Sequence, residues 1–328
     1  MNFQYKKLPW HERAQGKDAL RTFAFFSANL RKLLPELSLK EHMRYFKETL
    51  SHQALATNQQ RNEQWLADSP THLNFLATLT QPGIIAAFHT GPYRLLSMWL
   101  MKHKIPFTLV LSADVMASQE DANRRLHQQI AGRGQEDLFK MLLAEDPFVL
   151  RKMMRALQRG HFILLYIDGN VGSAKNNGKG TLTIDFLAHR LQVRTGPASL
   201  SSLAKVPVYP VLPYFDDNME PQLYTVPSLA ISAEGGKRDY IQQTMKTLYD
   251  LLAEFLHERP TQWEGWLYVH HDLVRETTLD GSSFLDYYMP FSLGQDYFLL
   301  HKESYLAYRI SGQLYNKICD KCFQRGCF

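Results

Sequence analysis

The chain has 328 residues, 45% of them hydrophobic, which is enough for one large α/β domain or two ordinary ones around a substantial core. Its 37 Lys and Arg against 32 Asp and Glu leave a net charge of +5, a mildly basic balance that suits an acidic carrier protein, a phosphate-bearing substrate or an anionic membrane without choosing among them. The three cysteines, Cys319, Cys322 and Cys327, all fall near the carboxyl end, which excludes a disulfide framework in the main body and fits a reducing cytoplasm.

The first residues carry Lys6, Lys7, His11, Glu12 and Arg13, and no apolar run reaches the roughly 18–20 residues of a membrane span. Neither a signal peptide nor a transmembrane helix is therefore expected. Residues 17–66 are rich in helix formers, and Phe23, Phe26, Leu30, Leu33 and Leu34 recur at helical spacing, which predicts two or three helices. Pro35 interrupts the pattern, and Ser38 with Glu41 makes a capping box for a helix through Met43, Phe46 and Leu50. The stripe Phe23, Phe25, Phe26, Leu30 and Leu33, interspersed with Arg21, Arg31 and Lys32, reads either as core or as an interfacial face for peripheral membrane contact.

Gly83–Phe88 is a short apolar run behind a Gln-Pro-Gly turn and predicts a strand buried on both faces, with His89 at its carboxyl end. Arg94–His103 then reads as a helix, Phe107–Leu111 as a strand, Pro147–Gln158 as a helix and His161–Ile167 as a second apolar strand. Gly169–Gly180 is the most loop-like segment. Ser199–Ala204 follows as a helix, Val206–Leu212 as a strand and residues 238–258 as a long helix. This alternation implies an α/β fold with a mainly parallel, helix-covered sheet. The expected division is a helical N-terminal region over 1–80, an α/β core over 81–275 and an appendage over 276–328, where Tyr297–Ile310 reads as a strand pair.

His89 would stand at the carboxyl edge of the sheet beside the Thr90-Gly91-Pro92 turn, a good position for a general base, although a histidine there also serves structural roles. Asp168 ends the second apolar strand and either joins the same cleft or caps the following loop. The glycines and lysines of 169–180 lack the Walker spacing, so that segment reads as a substrate loop rather than a nucleotide site. In His270-His271-Asp272, neighbours on a strand would point to opposite faces, which argues against a metal cluster. Cys319, Cys322 and Cys327 lack a second ligand pair at zinc-finger spacing and read as a flexible tail.

Phe88-His89-Thr-Gly-Pro-Tyr93, Leu164-Leu-Tyr-Ile-Asp168-Gly-Asn170, Val193-Arg-Thr-Gly-Pro-Ala-Ser-Leu200, Ala204-Lys-Val-Pro-Val-Tyr-Pro-Val211 and Trp266-Leu-Tyr-Val-His270 stand in an order and spacing that resembles the lipid A late acyltransferases. The resemblance runs from about residue 20 to 275. It implies an α/β fold of the glycerolipid acyltransferase type, and transfer of an acyl group from an acyl carrier protein or coenzyme A thioester to a hydroxyl or amine. It implies no cofactor and no metal. In that family the histidine is followed, after four residues, by an acid that orients it, whereas this chain has Arg94 there. An arginine cannot orient a protonating imidazole and would lower its pKa.

Asp168 is thus the candidate replacement acid beside the base His89. The resemblance puts Tyr93, Arg94, Asn170, Arg194, Thr195 and Gly196 around the substrates, with Arg94 and Arg194 suited to an anion. The acceptor is a lipid or a soluble small molecule or peptide, no nucleic acid is expected, and the location is the cytoplasm or the inner-membrane surface. The competing reading is a catalytically altered or inactive homologue that binds an acyl chain or a partner protein.

Overall fold

The computed structural model describes residues 17–60, 67–117, 125–126, 129–130, 136–169, 180–231, 236–274 and 284–324. In chain order these form α1 (Lys17–Leu33), α2 (Leu39–Gln59), α3 (Pro70–Thr78), β1 (Ile84–Ala87), α4 (Leu95–Lys102), β2 (Phe107–Leu111), β3 (Phe139–Leu143), α5 (Val149–Gln158), β4 (Phe162–Tyr166), β5 (Thr181–Phe186) and β6 (His189–Arg194). Then come α6 (Gly196–Ala204), β7 (Val208–Phe215), β8 (Pro221–Thr225), α7 (Lys237–Glu258), β9 (Tyr288–Leu293), β10 (Asp296–His301), β11 (Leu306–Ile310) and α8 (Gly312–Gln324). The chain divides into two compact units, one from Leu55–Leu182 with Val193–Phe255, the other from the described parts of Met1–Ala54, Thr183–Gln192 and Leu256–Phe328.

The first unit is built on a six-stranded sheet in the order β3-β2-β4-β1-β7-β8. Every pairing is parallel except that of β7 with β8. All four residues of β1 are fully buried. Ile85 and Ala87 join an apolar cluster with Trp99, Leu96 and Leu100 of α4 and Phe75 of α3. Ile84 and Ala86 point the other way by strand alternation and are equally buried, so both faces are covered. That double cover is why β1 reads as an unbroken apolar run. Gly83 lets β7 come close at the entry to this strand: a Cβ there would lie 2.6 Å from the Pro207 carbonyl oxygen and 2.6 Å from the Tyr209 ring. α6 begins at Gly196, earlier than the sequence pattern implies, because Pro197 falls in the first turn, where a missing N–H costs no hydrogen bond.

In the second unit α1 buries Phe23, Phe26, Leu30 and Leu33, with the Phe46 ring of α2 against Phe23 and Phe26. Arg31 and Lys32 pair with Glu303 at 3.5 and 2.7 Å. The stripe that could have met a membrane is core instead. The capping box opens α2 as expected: Ser38 donates its N–H and its hydroxyl to the Glu41 carboxylate, each at 2.8 Å. The predicted strand pair is β10 with β11, antiparallel from Tyr297↔Ile310 to His301↔Leu306, and β9 adds a third strand.

Two expectations are corrected in this unit. Residues 266–271 form short 3-10 turns rather than a strand, since the chain bends round the packed Trp263 and Trp266 rings, 4.9 Å apart, and the Trp266 indole donates to the Pro260 carbonyl at 2.6 Å. The carboxyl end is not a flexible tail as far as Gln324: α8 carries Cys319 and Cys322 on a buried face with Tyr315 and Ile318, and burial pushes the Cys319 thiol above its ordinary pKa. Cys327 lies outside the described residues.

Candidate active site

β1 and β4 are neighbours, and their ladder runs in register from Ile84↔Ile163 to Ala87↔Tyr166. His89 stands two residues beyond Ala87, and Asp168 two beyond Tyr166. Equal overhang from parallel strands brings the two side chains abreast at the carboxyl edge of the sheet, where open α/β sheets hold ligands. One further bond, Ile167 N–H to the Ala87 carbonyl at 2.9 Å, extends the ladder into the gap.

Asp168 Oδ1 lies 2.8 Å from His89 Nδ1, and the His89 backbone N–H donates to Oδ1 and Oδ2 of the same carboxylate at 3.2 and 3.1 Å. An ionised carboxylate only accepts, so Nδ1 carries the proton and Nε2 is left with its lone pair. The Asp168 side chain is 2% exposed and the His89 side chain 21%, so the carboxylate is sheltered while the imidazole still meets its surroundings. This is the arrangement that makes a histidine a directed base.

Aromatic rings hold the imidazole from two sides. Tyr93 meets it edge to face at 4.8 Å, and Tyr166 lies 5.0 Å away at an interplanar angle of 32°. The Tyr166 hydroxyl donates to the Tyr93 carbonyl at 2.8 Å, tying the end of β4 to the turn after β1. Burial holds the Tyr166 phenol well above its ordinary pKa, with Arg94 pulling it down and Asp168 pushing it up. Gly91, at φ +42°, lets the Thr90–Tyr93 turn close, and Tyr93 N–H donates to the Thr90 carbonyl at 3.0 Å. Gly169 passes close to the ring: a Cβ on it would sit 3.8 Å from His89 Cε1.

Arg94 follows this turn directly and precedes α4, with its guanidinium carbon 4.8 Å from the Tyr93 ring centre. His89, Asp168, Tyr93 and Arg94 are therefore gathered in one place. Arg194, Thr195 and Gly196 mark the passage from β6 into α6, where the Thr195 N–H and hydroxyl both donate to the Gly180 carbonyl, at 2.9 and 3.1 Å. These two bonds tie Gly180 to the start of α6. Asn170 lies outside the described residues. Tyr166, Gly169 and Thr90 were not among the expected site residues. Strand parity was the available signal for Tyr166, since it stands two residues before Asp168 and shares its side.

His270 and His271 lie in the other unit. Burial, aided by the charge of His271, lowers the His270 pKa to about 4, and its ring packs on Phe25 at 4.8 Å and Tyr305 at 5.8 Å. Among the described residues no group of three His, Cys, Asp or Glu could hold a metal ion. No described helix is long and apolar enough to cross a membrane.

No curated protein matches this chain. The sheet-edge histidine and the segments around it do answer to a known family, one described as bacterial lipid A biosynthesis acyltransferase, whose profile matches residues 60–271. That span takes in the whole six-stranded sheet and exceeds half of the chain, and the protein belongs to this family.

Proposed function

We propose that the chain transfers an acyl group from a thioester, on acyl carrier protein or coenzyme A, to a hydroxyl or amine, with His89 as general base and Asp168 as its orienting acid. The observation that carries the reading is the 2.8 Å contact between His89 Nδ1 and Asp168 Oδ1 at the carboxyl edge of two adjacent parallel strands. Nε2 takes the proton of the acceptor O–H or N–H as that atom attacks the thioester carbonyl carbon. The C–S bond then breaks, and the imidazolium returns its proton to the departing thiolate, so the proton count closes without another reactant. Asp168 stabilises the imidazolium formed on the way and keeps Nε2 aimed at the acceptor.

The family places an acid four residues further from the histidine than its neighbour in sequence, and here that position is Arg94; in the proposed site Asp168 performs the acid's task from the adjacent strand. The net charge of +5 supports an acidic donor, and buried thiols on α8 support a reducing, cytoplasmic setting. The deciding experiment is single-turnover transfer from acyl carrier protein and acyl-CoA thioesters. His89→Ala should abolish transfer and keep the wild-type circular dichroism, with Tm lowered only by the loss of one bond to a buried carboxylate. An unchanged rate would remove the mechanism and favour a non-catalytic homologue that binds an acyl chain or a partner.

A further inference from the structure

Two polar atoms on the short turn behind His89 are buried and have no hydrogen-bond partner among the described residues: Thr90 Oγ1 and Arg94 Nε. Thr90 is 0% exposed, and no described carboxylate pairs with Arg94. A half-buried guanidinium with a sheltered, unpaired N–H is costly unless something completes it, and the chemistry that completes an arginine is an oxyanion. The Tyr93 ring supports the cation from one side. The Arg94 guanidinium carbon and the His89 ring centre each lie 4.8 Å from the Tyr93 ring centre, so they are at most twice that distance apart.

That bound favours an anion close to the reacting atoms over one at the far end of the donor. In a phosphopantetheine arm thirteen bonds separate phosphorus from sulfur, and at the reach of an extended backbone, about 3.5 Å for each three bonds, the arm spans roughly 15 Å. With the thioester at His89, an extended arm brings its phosphate to Arg94 only if the guanidinium stands near the upper limit of that separation. An anion a few bonds from the attacking atom lies within its reach.

We propose that Arg94 binds an oxyanion, phosphate or carboxylate, carried by the acyl acceptor close to the hydroxyl or amine that is acylated. The assignment to the acceptor rests on the acyl-transfer reading above, whereas the anion site does not. Inorganic phosphate and acetate serve as probes, titrated by calorimetry and thermal shift into the wild-type protein, Arg94→Gln, Arg94→Lys and His89→Ala. At least one probe should bind the wild type and His89→Ala alike, weaken about tenfold or more in Arg94→Gln, and weaken less in Arg94→Lys, which keeps the charge but loses the planar fork. The preferred probe identifies the anion. Equal binding by wild type and Arg94→Gln, or no binding to either, would overturn the site. A second arm compares single-turnover rates with acyl-phosphopantetheine and acyl-pantetheine. If the ratio of the two is the same in wild type and Arg94→Gln, the anion belongs to the acceptor; a ratio that collapses only in the variant would assign it to the donor arm and overturn the proposal. Failure of acyl transfer in every protein leaves the probe titrations decisive for the anion site and counts against the functional reading alone.

Discussion

Asp168 accepts three times from one residue, twice from the His89 backbone N–H and once from its ring. This predicts how its amide should behave. In Asp168→Asn, one of the two oxygens becomes an NH2 group that faces the His89 N–H, donor against donor, while the other can still accept from Nδ1–H. The fold should weaken by about 1–3 kcal/mol, and transfer should fall by a factor of about 10²–10⁴ in kcat with a smaller change in KM. Wild-type turnover in Asp168→Asn would show that the carboxylate only caps the start of the 169–180 segment. Tyr166→Phe tests the neighbouring constraint. It keeps the ring beside the imidazole and loses only the bond to the Tyr93 carbonyl, so Tm should fall by an amount matching about 1 kcal/mol and transfer by less than in Asp168→Asn. A larger loss than in Asp168→Asn would mean that the hydroxyl, not the carboxylate, is the dominant support of His89.

At the scale of elements, the strands were legible wherever burial leaves a local trace. β1 and β4 are unbroken apolar runs because parallel strands under helices have no solvent face, and the Ser38–Glu41 capping box marks α2 through side chains three residues apart. The register was not legible, because nothing local says that Ala87 faces Tyr166, and the contact between His89 and Asp168 depends on that pairing. The same holds for the outer contacts of the β5–β6 pair, which are distant in sequence: Leu191 bridges Leu273, and Gln192 N–H donates to the Asp272 carbonyl at 2.8 Å. Gly83 turns this dependence into a measurement, since its missing Cβ is what lets β7 lie against β1. Gly83→Ala should cost about 1–3 kcal/mol through overpacking against the Pro207 carbonyl and the Tyr209 ring, lowering Tm by roughly 2–4 °C per kcal/mol. Transfer should drop with it, as the β1 terminus carries His89. An unchanged Tm would mean that β7 yields at no cost and that the close approach does not set the register.

Over the whole molecule, buried histidines make acid the condition to which the fold is most exposed. Burial lowers the His42 pKa to about 3, with the charges of Lys302 and Arg31 adding to it, and His42 Nδ1 lies 2.8 Å from the Ser27 hydroxyl in the core of its unit. In the other unit, burial lowers His72 to about 4, and its ring packs 3.8 Å from that of Trp99. Burial also lowers His52 and His161. A histidine with a depressed folded pKa is neutral in both states above the unfolded value near 6.5. Below it the unfolded chain takes up a proton that the folded chain refuses, so stability is fully present above about pH 6.5 and declines until the folded pKa is reached. For His42 alone this amounts to about 2 kcal/mol by pH 5. Both units hold such residues, so both should weaken together rather than one unfolding while the other persists. Urea midpoints should be level from pH 8 to 7 and fall steadily from pH 6.5 to 4.5, and His42→Asn, although less stable at pH 7, should show a shallower decline. A midpoint that held constant down to pH 5, or a decline equally steep in His42→Asn, would mean that His42 accepts its proton in the folded state and that its burial does not exclude charge.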